Sequence, residues 1–191
     1  MRRSMTLIAA LITCLLLSGS LVGLSQAETS DISIFRGNPA RTGAMPGPGP
    51  AETNGIVERW RVNTGHPIYS SAAIVDGVVY IGSGDGNIYA LEADTGTARW
   101  RVAIGNGVFS SPALADGVLY IGNGDGNVYA LDATSGAERW RFRTGNEVNS
   151  SPAVVDGVVY VGSHDGNVYA LDAAYGTERW RFTTGSKSDR Q

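Results

Sequence analysis

Short apolar runs alternate with turn-forming residues from about residue 66 onward, and this pattern predicts β-strands joined by hairpins. In the last copy of the pattern, strands are predicted at 153–155, 158–162 and 167–172, and a fourth runs through Trp180. Asp-Gly between apolar runs favours a hairpin, because a type I′ turn needs positive φ at its central residues. The pairs between the second and third predicted strands are Asp85-Gly86, Asp125-Gly126 and Asp165-Gly166.

The pattern has a period of 40 residues, marked by Trp60, Trp100, Trp140 and Trp180. A fixed period of this length is typical of repeat architectures. It defines three units, 66–105, 106–145 and 146–185, and each is predicted to form four antiparallel strands. Residues 56–62 are an additional copy of the fourth strand ahead of the first unit.

Both faces of the predicted sheets are apolar. Successive side chains of a strand point to opposite faces, so Val168 and Ala170 lie on one face while Tyr169 and Leu171 lie on the other. A sheet of this kind needs another sheet on each side. The predicted fold is therefore an all-β propeller of four-stranded antiparallel blades, with three complete repeats, an extra N-terminal outer strand and an incomplete ring. A linear β-solenoid is the alternative, although its repeats are usually shorter.

The first 27 residues have the layout of a secretory signal peptide. Two arginines precede an apolar run from Met5 to Leu17, and the small residues Ser25 and Ala27 precede a predicted cleavage site before Glu28. An uncleaved membrane anchor is the alternative, since the apolar stretch is about 20 residues long. Either way, the repeats are expected outside the cytoplasm, whether secreted, periplasmic or attached to the cell envelope.

Residues 28–55 are rich in Gly and Pro and are predicted to be a lead-in and linker, while 186–191 form a short tail. The net charge of -3, with basic residues spread along the chain, argues against nucleic acid as a partner. The one cysteine, Cys14, lies in the signal region, and lipidation there is a minor alternative. A chain cleaved before Glu28 has no thiol for a disulfide, a metal site or a nucleophile.

The repeated string SSPAxxDGxxYxGSxDGxxYALDAxxGxxRW resembles the pyrroloquinoline-quinone-type (PQQ-like) propeller repeat over residues 56–185. In that family, the segment from Ala to Trp is a tryptophan-docking motif whose indole packs between adjacent blades. The resemblance implies this structural role for Ala90, Gly96, Trp100, Ala130, Gly136, Trp140, Ala170, Gly176 and Trp180. The same blades build quinoprotein dehydrogenases, BamB-like envelope scaffold proteins and sensor domains, so the fold alone does not decide the function.

Other recurrent residues have a structural interpretation beside each functional one. Asp85, Asp125 and Asp165 could belong to calcium loops, but Asp-Gly is what a hairpin requires. The arginines flanking each Trp could form a basic ring, or pair with acidic residues on neighbouring strands. His66 and His164 occupy unrelated positions in their repeats, so neither a metal site nor a metal cofactor is expected.

We expect no catalytic, cofactor-binding or metal-binding residues, and no enzyme activity. Quinoprotein dehydrogenases of the resembling family are much longer, have eight blades and use an adjacent Cys pair with a catalytic Asp. The function predicted is an exported, non-catalytic module that binds proteins or serves as an envelope scaffold. A truncated piece of a longer quinoprotein-like propeller, either a PQQ-dependent dehydrogenase or a sensor domain, is the alternative.

Three blades are fewer than the four to eight that typically close a propeller. Open apolar blade faces are expected to seek a protein partner or a second copy of the chain. The isolated protein is therefore predicted either to dimerise, with one outer strand per chain displaced, or to aggregate.

Overall fold

The computed structural model describes residues 58–184, which contain twelve β-strands. The strands are β1 (Ala73–Val75), β2 (Val78–Gly82), β3 (Asn87–Glu92), β4 (Ala98–Ala103), β5 (Ala113–Ala115), β6 (Val118–Gly122), β7 (Asn127–Asp132), β8 (Glu138–Arg143), β9 (Ala153–Val155), β10 (Val158–Gly162), β11 (Asn167–Asp172) and β12 (Glu178–Thr183). They form three four-stranded antiparallel sheets: blade 1 (β1–β4), blade 2 (β5–β8) and blade 3 (β9–β12). The predicted all-β fold of four-stranded blades in an incomplete ring is confirmed.

Several predictions concern residues outside this range. The signal sequence at 1–27, the lead-in at 28–55 and the tail at 186–191 lie outside the described residues. Between residues 58 and 184, no helix is long and apolar enough to cross a bilayer.

The first hairpin of each blade has the turn that Asp-Gly was expected to form. Asp76 and Gly77, between β1 and β2, have φ values of 49° and 72°. Positive φ at both central residues matches a type I′ turn, whose twist suits the flanking strands. Asp116-Gly117 and Asp156-Gly157 repeat this conformation.

The second hairpin differs from the expected turn. Gly86 has a φ of 82°, but Asp85 is not among the described residues with positive φ. The amide of Gly86 donates to the carbonyl oxygen of Ser83 (3.1 Å). The amide of Ser83 in turn donates to the carbonyl oxygen of Asn87 (3.0 Å). This pattern fits a three-residue loop closed by a left-handed glycine. Asp85-Gly86, Asp125-Gly126 and Asp165-Gly166 therefore lie in hairpin loops, but not in type I′ turns.

The carboxylate of each of these loop aspartates is held by its own strand. In blade 1, the amide of Asn87 donates to Oδ1 of Asp85 (3.0 Å), and the hydroxyl of Tyr89 donates to Oδ2 (2.5 Å). Burial tends to raise the pKa of Asp85, but these hydrogen bonds hold the pKa below its usual value. In blade 2, burial and the hydrogen bond to Asp125 raise the pKa of Tyr129 to about 12. The aspartates thus close the loops.

The extra N-terminal strand is a point of difference. Residues 58–62, part of the segment predicted as a copy of the fourth strand, are not in a β-strand. The outer strand of a blade pairs with that blade's third strand, and this segment has no such ladder partner within the described range. It lies against blade 1 instead, where Trp60 and Val62 pack on Val79, Tyr89 and Leu91.

The hydrophobic core lies between the blades. One cluster joins blades 1 and 2, with Ile88, Leu119 and Leu131 almost fully buried. A second cluster joins blades 2 and 3, including Val128 and Val159. Alternate residues of β6 and β7 enter different clusters, as the two-faced apolar pattern predicts. Blade 2 is therefore covered by a blade on both faces.

Gly122, at the end of β6, shows how closely the loop between blades approaches a sheet. A Cβ atom at Gly122 would overlap the backbone oxygen and side chain of Val148, which is itself fully buried. At the equivalent Gly162 in blade 3, the nearest contact of such an atom is Oγ of Ser150, at 3.6 Å. Position 122 therefore requires glycine for packing, whereas position 162 has room for a methyl group.

We expect Gly122→Ala to lower the free energy of unfolding by about 1–3 kcal/mol, because the added methyl group forces the Val148 backbone away. The matched variant Gly162→Ala should change it by less than about 0.5 kcal/mol. Urea unfolding of the purified protein, followed by tryptophan fluorescence, measures both values. Equal losses in the two variants would contradict this packing explanation.

Candidate functional site

The repeated tryptophans meet the next blade at a single backbone carbonyl. Nε1 of Trp100, on β4, donates to the carbonyl oxygen of Ala133 (3.0 Å), just after β7 of blade 2. The hydroxyl of Tyr80, on β2, donates to the same oxygen (3.1 Å). We call this arrangement the interblade lock: one Trp and one Tyr of a blade bound to one carbonyl oxygen of the next blade.

The lock recurs between blades 2 and 3 with nearly the same geometry. Trp140 and Tyr120 donate to the carbonyl oxygen of Ala173, over 2.9 and 3.1 Å. The Tyr and Trp rings of each pair lie 5.9 Å apart in blade 1 and 5.8 Å apart in blade 2. The 40-residue repeat thus produces a repeated interface.

A glycine lies beneath each docked indole. A Cβ atom on Gly136 would lie 2.9 Å from the ring of Trp100, and Gly136 has a φ of 74°. Both the close approach and the left-handed backbone require glycine at this position. In the same way, Trp60 covers Gly96, and Trp140 covers Gly176.

The docking residues implied by the resemblance are thus divided between blades. Ala90 pairs with Trp100 within the sheet, while the indole of Trp100 docks on the glycine of the following unit. The pairs Ala130 with Trp140, and Ala170 with Trp180, follow the same register. Trp180 differs because it is 48% exposed and docks on no blade in the described range.

Sequence reasoning did not identify the tyrosines or the accepting carbonyls of the lock. Tyr80, Tyr120 and Tyr160 recur at the same 40-residue period as the tryptophans, and that recurrence was the available signal. The accepting residue is an alanine whose side chain carries no chemistry, so only the folded backbone identifies it. Trp60 also docks, with Nε1 donating to the carbonyl oxygen of Ala93 over 2.8 Å.

The arginines before each tryptophan pair with acidic residues on the adjacent strand, as one of the two interpretations predicted. Arg99 contacts Glu92 (2.6 Å), Arg139 contacts Asp132 (2.7 Å) and Arg179 contacts Asp172 (2.8 Å). The hydrogen bond from Arg139, together with those from Ser135, lowers the pKa of Asp132 to about 2. These pairs are solvent-exposed, so they fix side-chain positions more than they add stability.

Open clefts of about 370 and 390 Å³ lie beside the two locks. The first is lined by Asp76, Asp116, Tyr80 and Arg99, among others. Its tyrosine is already bound to a carbonyl, and its arginine to a carboxylate. Nowhere in residues 58–184 do three His, Cys, Asp or Glu side chains gather closely enough to hold a metal ion.

The most exposed apolar group outside blade 3 lies where the chain enters β1 and β5. Ile68, Tyr69 and Phe109 are 42%, 70% and 38% exposed. The rings of Tyr69 and Phe109 meet edge to face, with centroids 5.5 Å apart. The third repeat has Asn149 at the position of these aromatics. We call Ile68, Tyr69 and Phe109 the aromatic patch; its aromatic pair comes from the first two repeats only, and its residues lie outside the three core clusters.

Solved structures of BamB and of quinohemoprotein alcohol dehydrogenases are among those that resemble this chain. BamB from Moraxella catarrhalis is 29% identical with a TM-score of 0.58, and the match covers 65% of this chain and 39% of that one. The quinohemoprotein alcohol dehydrogenase ADHIIG from Pseudomonas putida HK5 is 26% identical with a TM-score of 0.59, covering 64% of this chain and 21% of that one. The quinohemoprotein alcohol dehydrogenase from Comamonas testosteroni is 26% identical with a TM-score of 0.55, covering 61% and 21%.

This chain therefore corresponds to less than half the length of each of these proteins. Comparison with curated proteins finds no match. The profile of the family described as outer membrane protein assembly factor BamB matches residues 54–180. Because that match covers more than half of the sequence, the chain belongs to this BamB-type family of PQQ-like β-propeller repeat proteins.

Proposed function

We propose that this chain is a non-catalytic binding module of the cell envelope, which holds a protein partner through the aromatic patch. The patch carries the proposal, because it exposes two ring systems and an aliphatic side chain in one place. Exposed apolar clusters on folded proteins are commonly interaction sites, and aromatic residues contribute a large share of interface energy.

The way the blades use their polar groups supports a binding role over a catalytic one. Arg99, Arg139 and Arg179 are paired within their own blades, and the loop aspartates accept hydrogen bonds from their own strands. The tyrosine hydroxyls of the locks are bound to backbone carbonyls. Their partners give these groups a structural role, and the apolar surface remains available for binding.

The family description suggests which process the module serves. The matching profile is that of an outer membrane protein assembly factor. By analogy, we propose that this chain acts as a scaffold in assembling envelope proteins. Export through the N-terminal segment, with residues 1–27 removed and Glu28 as the first mature residue, is part of this proposal. Self-association through open blade faces is a further part of it.

A crosslinking experiment in the host cell tests the binding site. A photoreactive residue is placed at position 69 or 109, in the aromatic patch, and at position 175 as the control. Tyr175 is 78% exposed, so it matches the patch in exposure but lies in the turn between β11 and β12. We expect discrete crosslinks to an envelope protein from positions 69 and 109, and none of the same products from 175. Identical products from all three positions would refute the patch as the binding site.

The alternative is that the chain represents part of a longer quinoprotein-like propeller, which the two similar quinohemoprotein alcohol dehydrogenases favour. We expect no dye reduction when the purified protein is mixed with pyrroloquinoline quinone, calcium and an alcohol or sugar. The control is the same mixture without protein. Turnover clearly above that control would overturn the non-catalytic proposal and favour the dehydrogenase alternative.

A further inference from the structure

Blade 3 carries the donor half of an interblade lock that no described blade receives. The rings of Tyr160 and Trp180 lie 5.9 Å apart at 51° to each other. The same pair in blade 1, Tyr80 and Trp100, lies 5.9 Å apart at 48°. Both side chains of the donor half are therefore already in docking geometry. Trp180 is 48% exposed and Phe182, on the same strand, is 63% exposed.

The opposite end of the molecule carries the matching acceptor half. On blade 1, the carbonyl oxygen of Ala93 and the space above Gly96 have the same arrangement as Ala133 and Gly136 on blade 2. Trp60 occupies them. It belongs to a segment that is not part of a β-strand, and the described residues provide no tyrosine beside it to complete the lock. Within residues 58–184, the carbonyl oxygen of Ala93 thus accepts one side-chain hydrogen bond, whereas those of Ala133 and Ala173 each accept two.

We propose that a second copy of this chain covers blade 3, with Trp180 and Tyr160 of one copy docked on Ala93 and Gly96 of the other in place of Trp60. The chain already forms this interface twice, between blades 1 and 2 and between blades 2 and 3. The outer face of blade 3 and the acceptor face of blade 1 repeat its two sides, so they are complementary. This inference rests on the self-association included in the proposed function, and it assigns the residues that carry it.

The contact is made between two different ends of the molecule, so a closed pair of copies makes it twice. Contacts of this head-to-tail kind form closed rings when the rotation between copies allows it. Two copies contribute six four-stranded blades, which falls within the usual range for closed propellers. No strand is left over, because the segment that leaves blade 1 is not a β-strand.

The displaced segment sets the strength of the association. Trp60 belongs to the same chain as the acceptor at Ala93 and Gly96, so its effective concentration at that acceptor is high. It therefore competes with Trp180 of another copy for the same position. Removing the indole at position 60 should therefore strengthen the pairing, whereas removing the indole at position 180 should weaken it. Opposite effects of two Trp→Ala changes are not expected from non-specific hydrophobic association.

Sedimentation velocity of the full chain over a range of concentrations tests the proposal. We expect the wild type to form a species of two copies, with Trp180→Ala raising its dissociation constant by about tenfold or more and Trp60→Ala lowering it by a similar factor. The double variant should behave like Trp180→Ala. The matched control is Tyr175→Ser, at another exposed aromatic residue, which introduces the serine that the second repeat has at the equivalent position 135. It should leave the dissociation constant unchanged. Circular dichroism checks that each variant is folded.

Several outcomes would overturn the proposal. The first is a single chain at every concentration, the second is an association that Trp180→Ala leaves unchanged, and the third is growth into species larger than two copies. Crosslinking from the aromatic patch is independent of these outcomes, since Tyr69 and Phe109 do not belong to the proposed contact. Loss of pairing with retained crosslinks would refute the pairing alone, and the reverse result would refute the patch alone.

Discussion

The structure depends on a backbone carbonyl that accepts two hydrogen bonds from the blade before it. Apolar faces alone can slide over one another, because the hydrophobic effect is not directional. The carbonyl oxygens of Ala133 and Ala173 remove that freedom, since a Trp and a Tyr must both reach one atom. Gly136 and Gly176 complete the constraint by allowing the indole to lie against the backbone.

This arrangement explains why function is expected at the ends and edges of the molecule. Blade 2 is covered on both faces, and the polar groups that recur in every repeat are used in loops, ion pairs and locks. Two apolar surfaces remain exposed: the aromatic patch around Tyr69, which the third repeat lacks, and the outer face of blade 3 with Trp180, which no described blade covers. The proposed contacts therefore use surfaces that the repeated packing leaves uncovered.

Much of this fold was predictable because strand and turn signals are local. The strands predicted at 153–155, 158–162 and 167–172 are the observed β9, β10 and β11. The family resemblance also supplied the docking glycines and tryptophans. The period could not show that Trp100 docks on the glycine of the next unit, because a repeat specifies which residues recur and not which copies touch. Nor could it show that residues 58–62 lack a ladder partner, or that Tyr69 and Phe109 meet.

Comparing the same substitution at a docked and an undocked tryptophan tests the lock most directly. Trp140→Phe removes the indole donor to Ala173, one of its two side-chain donors, and part of a partly buried ring. Trp180→Phe makes the same side-chain change at a half-exposed position. At a protein concentration where the chain is single, urea unfolding should show a loss of about 2 kcal/mol for Trp140→Phe, from the hydrogen bond and the lost packing. Trp180→Phe should cost less than about 0.5 kcal/mol. Equal losses at the two positions would contradict the claim that the interblade lock holds the blades together.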